Sequence, residues 1–277
     1  MATATISVFQ SDKVFRDYLR GKPVCLWSGP SELDPSRRVA LVLTVGGNSK
    51  TGDVHSLAIY DLDASDGEPI GAGCGACPLH LAGSCYVESF FADIRHHKRR
   101  FADRSSFPVI RRSEWSRYLW KQVRFGSYGD PSALPVKLIE AVTSMVPGFM
   151  GYTHFWATCD QSLRRVFLAS CETLQQVEAA RALGWRVFYT PVCGSYQAHD
   201  KAKARVVKSL RTWLGANKLK DMVICPNFVR GQVVQCSRCP IGCDGTSGKR
   251  FDVINPAHGI KASLHPGDKV PLLPVLA

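Results

Sequence analysis

Apolar runs and amphipathic stretches alternate along the chain, and their lengths predict strands and helices in turn. Residues 39–45 form a short β-branched run closed by Gly46 and Gly47, the pattern of a buried strand. Residues 54–60 repeat it, and the Asp/Gly-rich stretch 61–75 predicts a loop. From Cys85 onward Val87, Phe90, Phe91 and Ile94 have helical spacing, ending in the basic run 95–100. Further on, strands are predicted at 122–126, 149–156, 165–170 and 185–190, with a last one at 222–225. Helices are predicted at 135–146, 173–183 and 200–214, with Gly184 closing the second of them. Residues 1–38 read as a lead-in, and the tail after Gly259 as Pro-rich and irregular.

Strands alternating with helices predict a parallel sheet with crossover helices. The expected class is α/β, a partial (β/α) barrel of the TIM-barrel kind with a C-terminal cysteine-rich metal-binding extension. The divisions are 1–38, a lead-in; 39–224, the barrel-like domain with the first cysteine cluster; and 225–277, the second cluster and tail. On such a fold functional residues gather at the C-terminal ends of the strands.

Composition fits a globular chain: 45% hydrophobic and 21% charged over 277 residues. No run approaches the ~18 apolar residues of a membrane helix. The first residues lack a charged segment followed by an apolar one, which predicts no export signal, no membrane association and a cytoplasmic, reducing location.

In that setting eleven cysteines point to metal rather than disulfides. Cys25, Cys159, Cys171 and Cys193 are scattered and read as small buried apolar residues. Cys74, Cys77 and Cys85 form C-x2-C-x7-C on a Gly-rich loop entering the predicted helix, whose N-terminus would favour the Cys85 thiolate. Three thiolates on a four-iron cluster would leave one iron open. Cys225, Cys236, Cys239 and Cys243 form C-x10-C-x2-C-x3-C, a complete four-thiolate shell. C-x2-C-P suits an iron–sulfur cluster of the 4Fe-4S type, while the same four residues suit tetrahedral zinc. One zinc shared by Cys74, Cys77, Cys236 and Cys239 is a further arrangement.

Other chemistry is sparser. In the segment 124–135, Gly126 and Gly129 permit a tight strand-to-helix turn, and Asp130 before Pro131 serves either as a helix cap or as a ligand-holding carboxylate. The turn Gly46-Gly-Asn-Ser-Lys-Thr-Gly52 departs from the phosphate-loop pattern and reads as a plain turn, with Lys50 able to touch a phosphate or cofactor. His154 and His258 are the candidate histidines. No Ser-His-Asp order or paired carboxylates stand out, which excludes a hydrolase argument.

The net charge of +12 favours polyanionic partners. Lys98, Arg99 and Arg100, then Arg111, Arg112 and Lys121 with Trp115, Tyr118 and Trp120 among them, combine phosphate-neutralising charge with rings able to stack on bases. Lys201, Lys203, Arg205, Lys208 and Arg211 add charge to a second helix. The plainer account is a solvated face over core aromatics. DNA and RNA are not distinguished.

The cysteine loop after a strand, then Gly126-Ser127…Asp130-Pro131, then Gly151-Tyr-Thr-His154, resembles the radical S-adenosylmethionine barrels over about residues 39–225. The resemblance implies a cluster-bound cofactor positioned by Gly126, Ser127, Asp130 and His154. The family loop is C-x3-C-x2-C, and this one is not. The chain is also similar to a group of phage and prophage proteins, through Gly47-Asn-Ser-Lys-Thr-Gly52, both cysteine runs, Tyr128-Gly-Asp-Pro131 and Ala257-His-Gly259. Together these imply a mobile-element iron–sulfur protein in a host cytoplasm, acting on nucleic acid or nucleotides. The alternative is a non-catalytic, zinc- or iron–sulfur-stabilised nucleic-acid-binding protein for replication or packaging.

Overall fold

The computed structural model describes residues 19, 22–63, 71–85, 108–193, 200–239, 241, 243, 251–257 and 264–271. Strands β1 (Pro23–Pro30), β2 (Arg38–Thr44) and β3 (His55–Asp61) pair antiparallel, with Leu41 opposite Ile59 and Leu43 opposite Leu57. The sequence predicts parallel pairing here. Residues 45–54 are too few for the dozen or so that a parallel crossover needs, so β2 and β3 form a hairpin. β1 lies in the segment expected as lead-in.

From β3 the pairing turns parallel. β4 (Val123–Phe125) lies beside β3, and β5 (Phe149–Met150) beside β4. After Gly151 the same stretch continues as β6 (Tyr152–Thr153) in a second sheet, with β7 (Leu168–Cys171) and β8 (Val187–Tyr189) next in order. A side chain at Gly151 would meet Phe167 Cδ1 at 2.6 Å, so the chain passes from sheet to sheet directly beneath that ring. β9 (Val223–Ile224) is not the last strand: β10 (Val253–Ile254) inserts between β8 and β9, all parallel. Two residues are too short for any periodic signal. Asp252 seats them, accepting hydrogen bonds from Val187 N (2.7 Å) and Arg181 Nε (2.7 Å).

The fold is therefore α/β with parallel-rich sheets, but among the described residues no sheet closes on itself. Single helical turns α1 (Gly71–Cys74) and α2 (Pro78–Leu81) follow β3. Helix α3 (Val136–Thr143) buries Leu138, Ile139, Ala141 and Val142, the expected amphipathic stripe. Helix α4 (Leu174–Ala182) starts with a Thr173–Gln176 capping box and ends as predicted. Gly184 (φ +79°) donates to Arg181 O and Trp185 N to Ala180 O, a Schellman closure. Helix α5 (Asp200–Ala216) and the short α6 (Pro226–Arg230) complete the set. One core cluster joins both sheets, with Leu41, Leu57, Phe125, Phe167 and Tyr189 fully buried. Phe125 and Phe167 meet edge-on at 5.3 Å across the change of sheet. The helix expected after Cys85, the basic run with Lys98, Arg99 and Arg100, and His258 lie outside the described residues. Among the described residues no helix is long and apolar enough to cross a membrane.

Candidate metal centres

The first cysteine loop is anchored at the C-terminal end of β3. Buried Asp61 accepts from Ala72 N (2.8 Å) and pairs with Arg37 (3.0 Å), and Ser31 Oγ donates to Ala72 O (2.7 Å). Cys77 N donates to Cys74 O, which makes the C-x2-C turn, and Cys77 caps α2. Cys85 N returns to Leu79 O (3.0 Å) after the Gly83 turn. Burial, then the neighbouring Cys77, Asp130 and Cys85, push the Cys74 thiol well above its ordinary pKa, while a hydrogen bond from Gly129 N–H opposes them.

The turn after β4 clamps this loop. Gly126 (φ +67°) and Gly129 (φ +78°) adopt the left-handed region, and a Cβ on Gly129 would stand 2.6 Å from Ile59 O. Ser127 N donates to Leu57 O, and Asp130 N to Gly73 O at 2.6 Å. Asp130 is buried. Its Oδ1 accepts from Ser132 N (3.0 Å) and Oγ (2.7 Å), and its Oδ2 from His154 N (2.8 Å). Both oxygens thus serve a cap and a strand tie.

His154 ends β6. Its Nδ1 stands 3.6 Å from Cys77 Sγ and 3.7 Å from Asp130 Oδ2, and its Nε2 3.1 Å from Glu172 Oε1, off the ring's N–H axis. Burial alone would disfavour the imidazolium, but Asp130, Cys77 and Glu172 outweigh it and hold the pKa well above the usual histidine value. Burial likewise opposes ionisation of Asp130, yet His154 and Ser132 N–H keep its carboxyl below the ordinary range. Glu172, directly after β7, and His265, within electrostatic reach of both Glu172 and His154, belong to this cluster. Sequence reasoning missed both. Only the strand-end position of Glu172 could have flagged it.

The second group gathers on the 46–52 turn. Asn48 Oδ1 accepts from Lys50 N and Thr51 N (both 2.9 Å), so this segment is a turn, as its sequence suggests. Cys236 N donates to Lys50 O (3.1 Å) and Ser237 N to Thr51 O (3.0 Å). Asn227 Nδ2 reaches Val234 O (2.9 Å) and Lys50 O (3.4 Å). Cys225 caps α6 at the end of β9. Burial, then Cys225, Cys239 and Cys236, push the Cys243 thiol up to about 12, with Arg186 opposing. Burial raises Cys236 too, against Lys50 and Arg124. The four cysteines expected to share a shell are electrostatic neighbours, with cations beside them that favour thiolates. Tyr152, ring-to-ring with Phe188 at 4.1 Å, lies within reach of Cys243, Cys236 and Cys225.

Among the described residues, no three Cys, His, Asp or Glu side chains are close enough to hold a metal ion as they stand.

The basic stretch divides. Arg111 and Arg112 are exposed, and Arg112 lies over the Trp115 ring at 5.9 Å. Lys121 pairs with Asp53. Trp115 and Tyr118 are buried in the core, which corrects the expectation that they stack on bases.

Fold and site together define an α/β protein with parallel-rich sheets and thiol-rich strand ends. Compared with known proteins, the chain matches no family model, no curated protein and no solved structure.

Proposed function

We propose that this is a two-centre metal–thiolate protein acting on nucleic acid or nucleotides, with its second centre of the iron–sulfur type. The observation that carries the reading is the convergence of Cys225, Cys236 and Cys243 on Tyr152, with Cys239 beside Cys236 and Cys243, Cys236 on the 46–52 turn, and Lys50, Arg124 and Arg186 nearby. Four thiolates on a cluster or divalent ion leave a net negative centre, and nearby cations lower the cost of burying it. A cluster there would supply one-electron chemistry. The charge of +12 and the exposed Arg111 and Arg112 support the polyanionic partner.

A second reading, a radical enzyme with S-adenosylmethionine at the turn after β4, is favoured by the orderly parallel succession from β3 to β8 behind a cysteine loop. It fits this site only in part. With both Asp130 oxygens engaged, the cofactor is left to Gly126, Ser127 and the neighbouring backbone.

Anaerobic purification with iron, sulfide and zinc analysis tests both readings. Iron with matching sulfide and visible thiolate-to-iron absorption, lost in Cys239→Ala, is the expected result. Zinc alone in a colourless protein replaces it with the non-catalytic, zinc-stabilised binding protein. No metal in either form overturns the two-centre reading.

A further inference from the structure

The first cysteine run supplies three thiols, and a tetrahedral metal takes four donors. We propose that His154 is the fourth ligand, closing Cys74, Cys77 and Cys85 into a mononuclear Cys3His site of the zinc class, with Glu172 as the carboxylate behind the imidazole. The proposal rests on the metal–thiolate reading above and assigns the coordination of its first centre.

The separation of Cys77 Sγ and His154 Nδ1 fits a single ion. A sulfur about 2.3 Å and a nitrogen about 2.05 Å from one metal, at the tetrahedral angle, stand about 3.6 Å apart. Cys77 Sγ and His154 Nδ1 are 3.6 Å apart, a separation that matches this geometry and that the thiol–imidazole hydrogen bond already gives without metal. In a cubane cluster each protein ligand takes its own iron, which holds the ligand atoms farther apart than this.

The surroundings are those of a histidine ligand. Metal-bound imidazole commonly hands its second nitrogen to a carboxylate, which orients the ring. Here Nε2 stands 3.1 Å from Glu172 Oε1, off the ring's N–H axis, so the carboxylate is in place but the bond needs the ring to turn, and Glu172 is 2% exposed. The backbone under His154 is pinned by Asp130 Oδ2 at 2.8 Å, and the same Asp130 ties to the cysteine turn through its own N–H and Gly73 O. One residue thus holds the imidazole and the cysteine loop in register. Cys159 is the other nearby thiol, but it donates to Asp160 O (3.7 Å). Its electrostatic partners are Asp130 and Asp160 rather than the three thiols.

Without a ligand role, the cluster is a buried His154 ion pair with Asp130 and Glu172, and removing the metal would leave it intact. Metal-free full-length protein titrated with Co(II) alone separates the two accounts. Wild type should bind two tight equivalents with tetrahedral visible bands. His154→Ala should fall to one tight equivalent. His154→Cys, which keeps a donor in case the alanine variant folds poorly, should restore two, with the first-site bands shifted toward those of an all-thiolate centre. Glu172→Gln should weaken the first equivalent by about 10–100-fold, and Cys159→Ala should change nothing. An unchanged count and spectrum in His154→Ala overturns the assignment while leaving two centres in place. Loss of an equivalent in Cys159→Ala instead gives that position to Cys159 and overturns it equally. Wild type binding fewer than two equivalents overturns the two-centre reading itself.

Discussion

Tyr152 and His154 stand two residues apart where β6 ends, and each faces a different group of thiols. Tyr152 lies within electrostatic reach of Cys225, Cys236 and Cys243, and His154 within 3.6 Å of Cys77. The two cysteine groups, distant in sequence, therefore approach one short segment at the end of β6.

The turn after β4 gives a comparison between two left-handed glycines. Gly129 (φ +78°) would place a Cβ 2.6 Å from Ile59 O, whereas Gly83 (φ +64°) has nothing within 4 Å. Gly83→Ala should cost about 1 kcal/mol, the conformational penalty alone. Gly129→Ala should cost about 1–3 kcal/mol more through overpacking. Urea denaturation of both variants measures the difference, and equal costs would show that the contact with β3 is relaxed away.

His55 sets a pH dependence of stability. Burial first, then Lys121 against the opposing Asp53, lowers its pKa to about 4 in the folded protein. The unfolded chain takes up that proton near 6.5. Between those values the unfolded state binds more protons, so stability is full above about pH 6.5 and falls as the pH drops toward 4. The loss is on the order of 3 kcal/mol at most. Its Nδ1 accepts from Gly46 N at 3.2 Å, so His55→Gln keeps an acceptor while removing the titration. Unfolding free energies at pH 7 and 4.5 should converge in that variant, and an undiminished decline would assign it to other groups.

Metal removal should loosen the C-terminal segment. The 225–243 region rests on the 46–52 turn through a few hydrogen bonds, including Cys236 N to Lys50 O and Ser237 N to Thr51 O. Bound metal adds its binding free energy to folding. Chelation, or Cys239→Ala, should lower the melting temperature and speed amide exchange at Cys236 and Ser237. Melting identical to wild type would count against a structural second centre.

Arg111 and Arg112 are exposed, and they test the polyanion partner directly. If each neutralises a phosphate, replacing both with alanine should reduce the slope of log K against log salt by about 2 for duplex DNA, at nearly equal cost across sequences. Binding measured from low to moderate salt reads this, and an unchanged slope moves the interface elsewhere.

Much of the framework was legible locally. The β-branched runs at β2 and β3, the Thr173–Gln176 box with Gly184, and the α3 stripe are decided by residues within a few positions of one another. The nearness of Cys236, Cys239 and Cys243 was also legible, because their spacing is short. Tertiary structure alone decided the antiparallel start, the insertion of β10 between β8 and β9, and the division into two sheets at Gly151. It also spent both Asp130 oxygens, turned Trp115 inward, and brought Glu172 and His265 to His154. Periodicity records which face of an element is buried. Which strand ends meet depends on register and strand order, and these are set by packing between residues far apart in the chain.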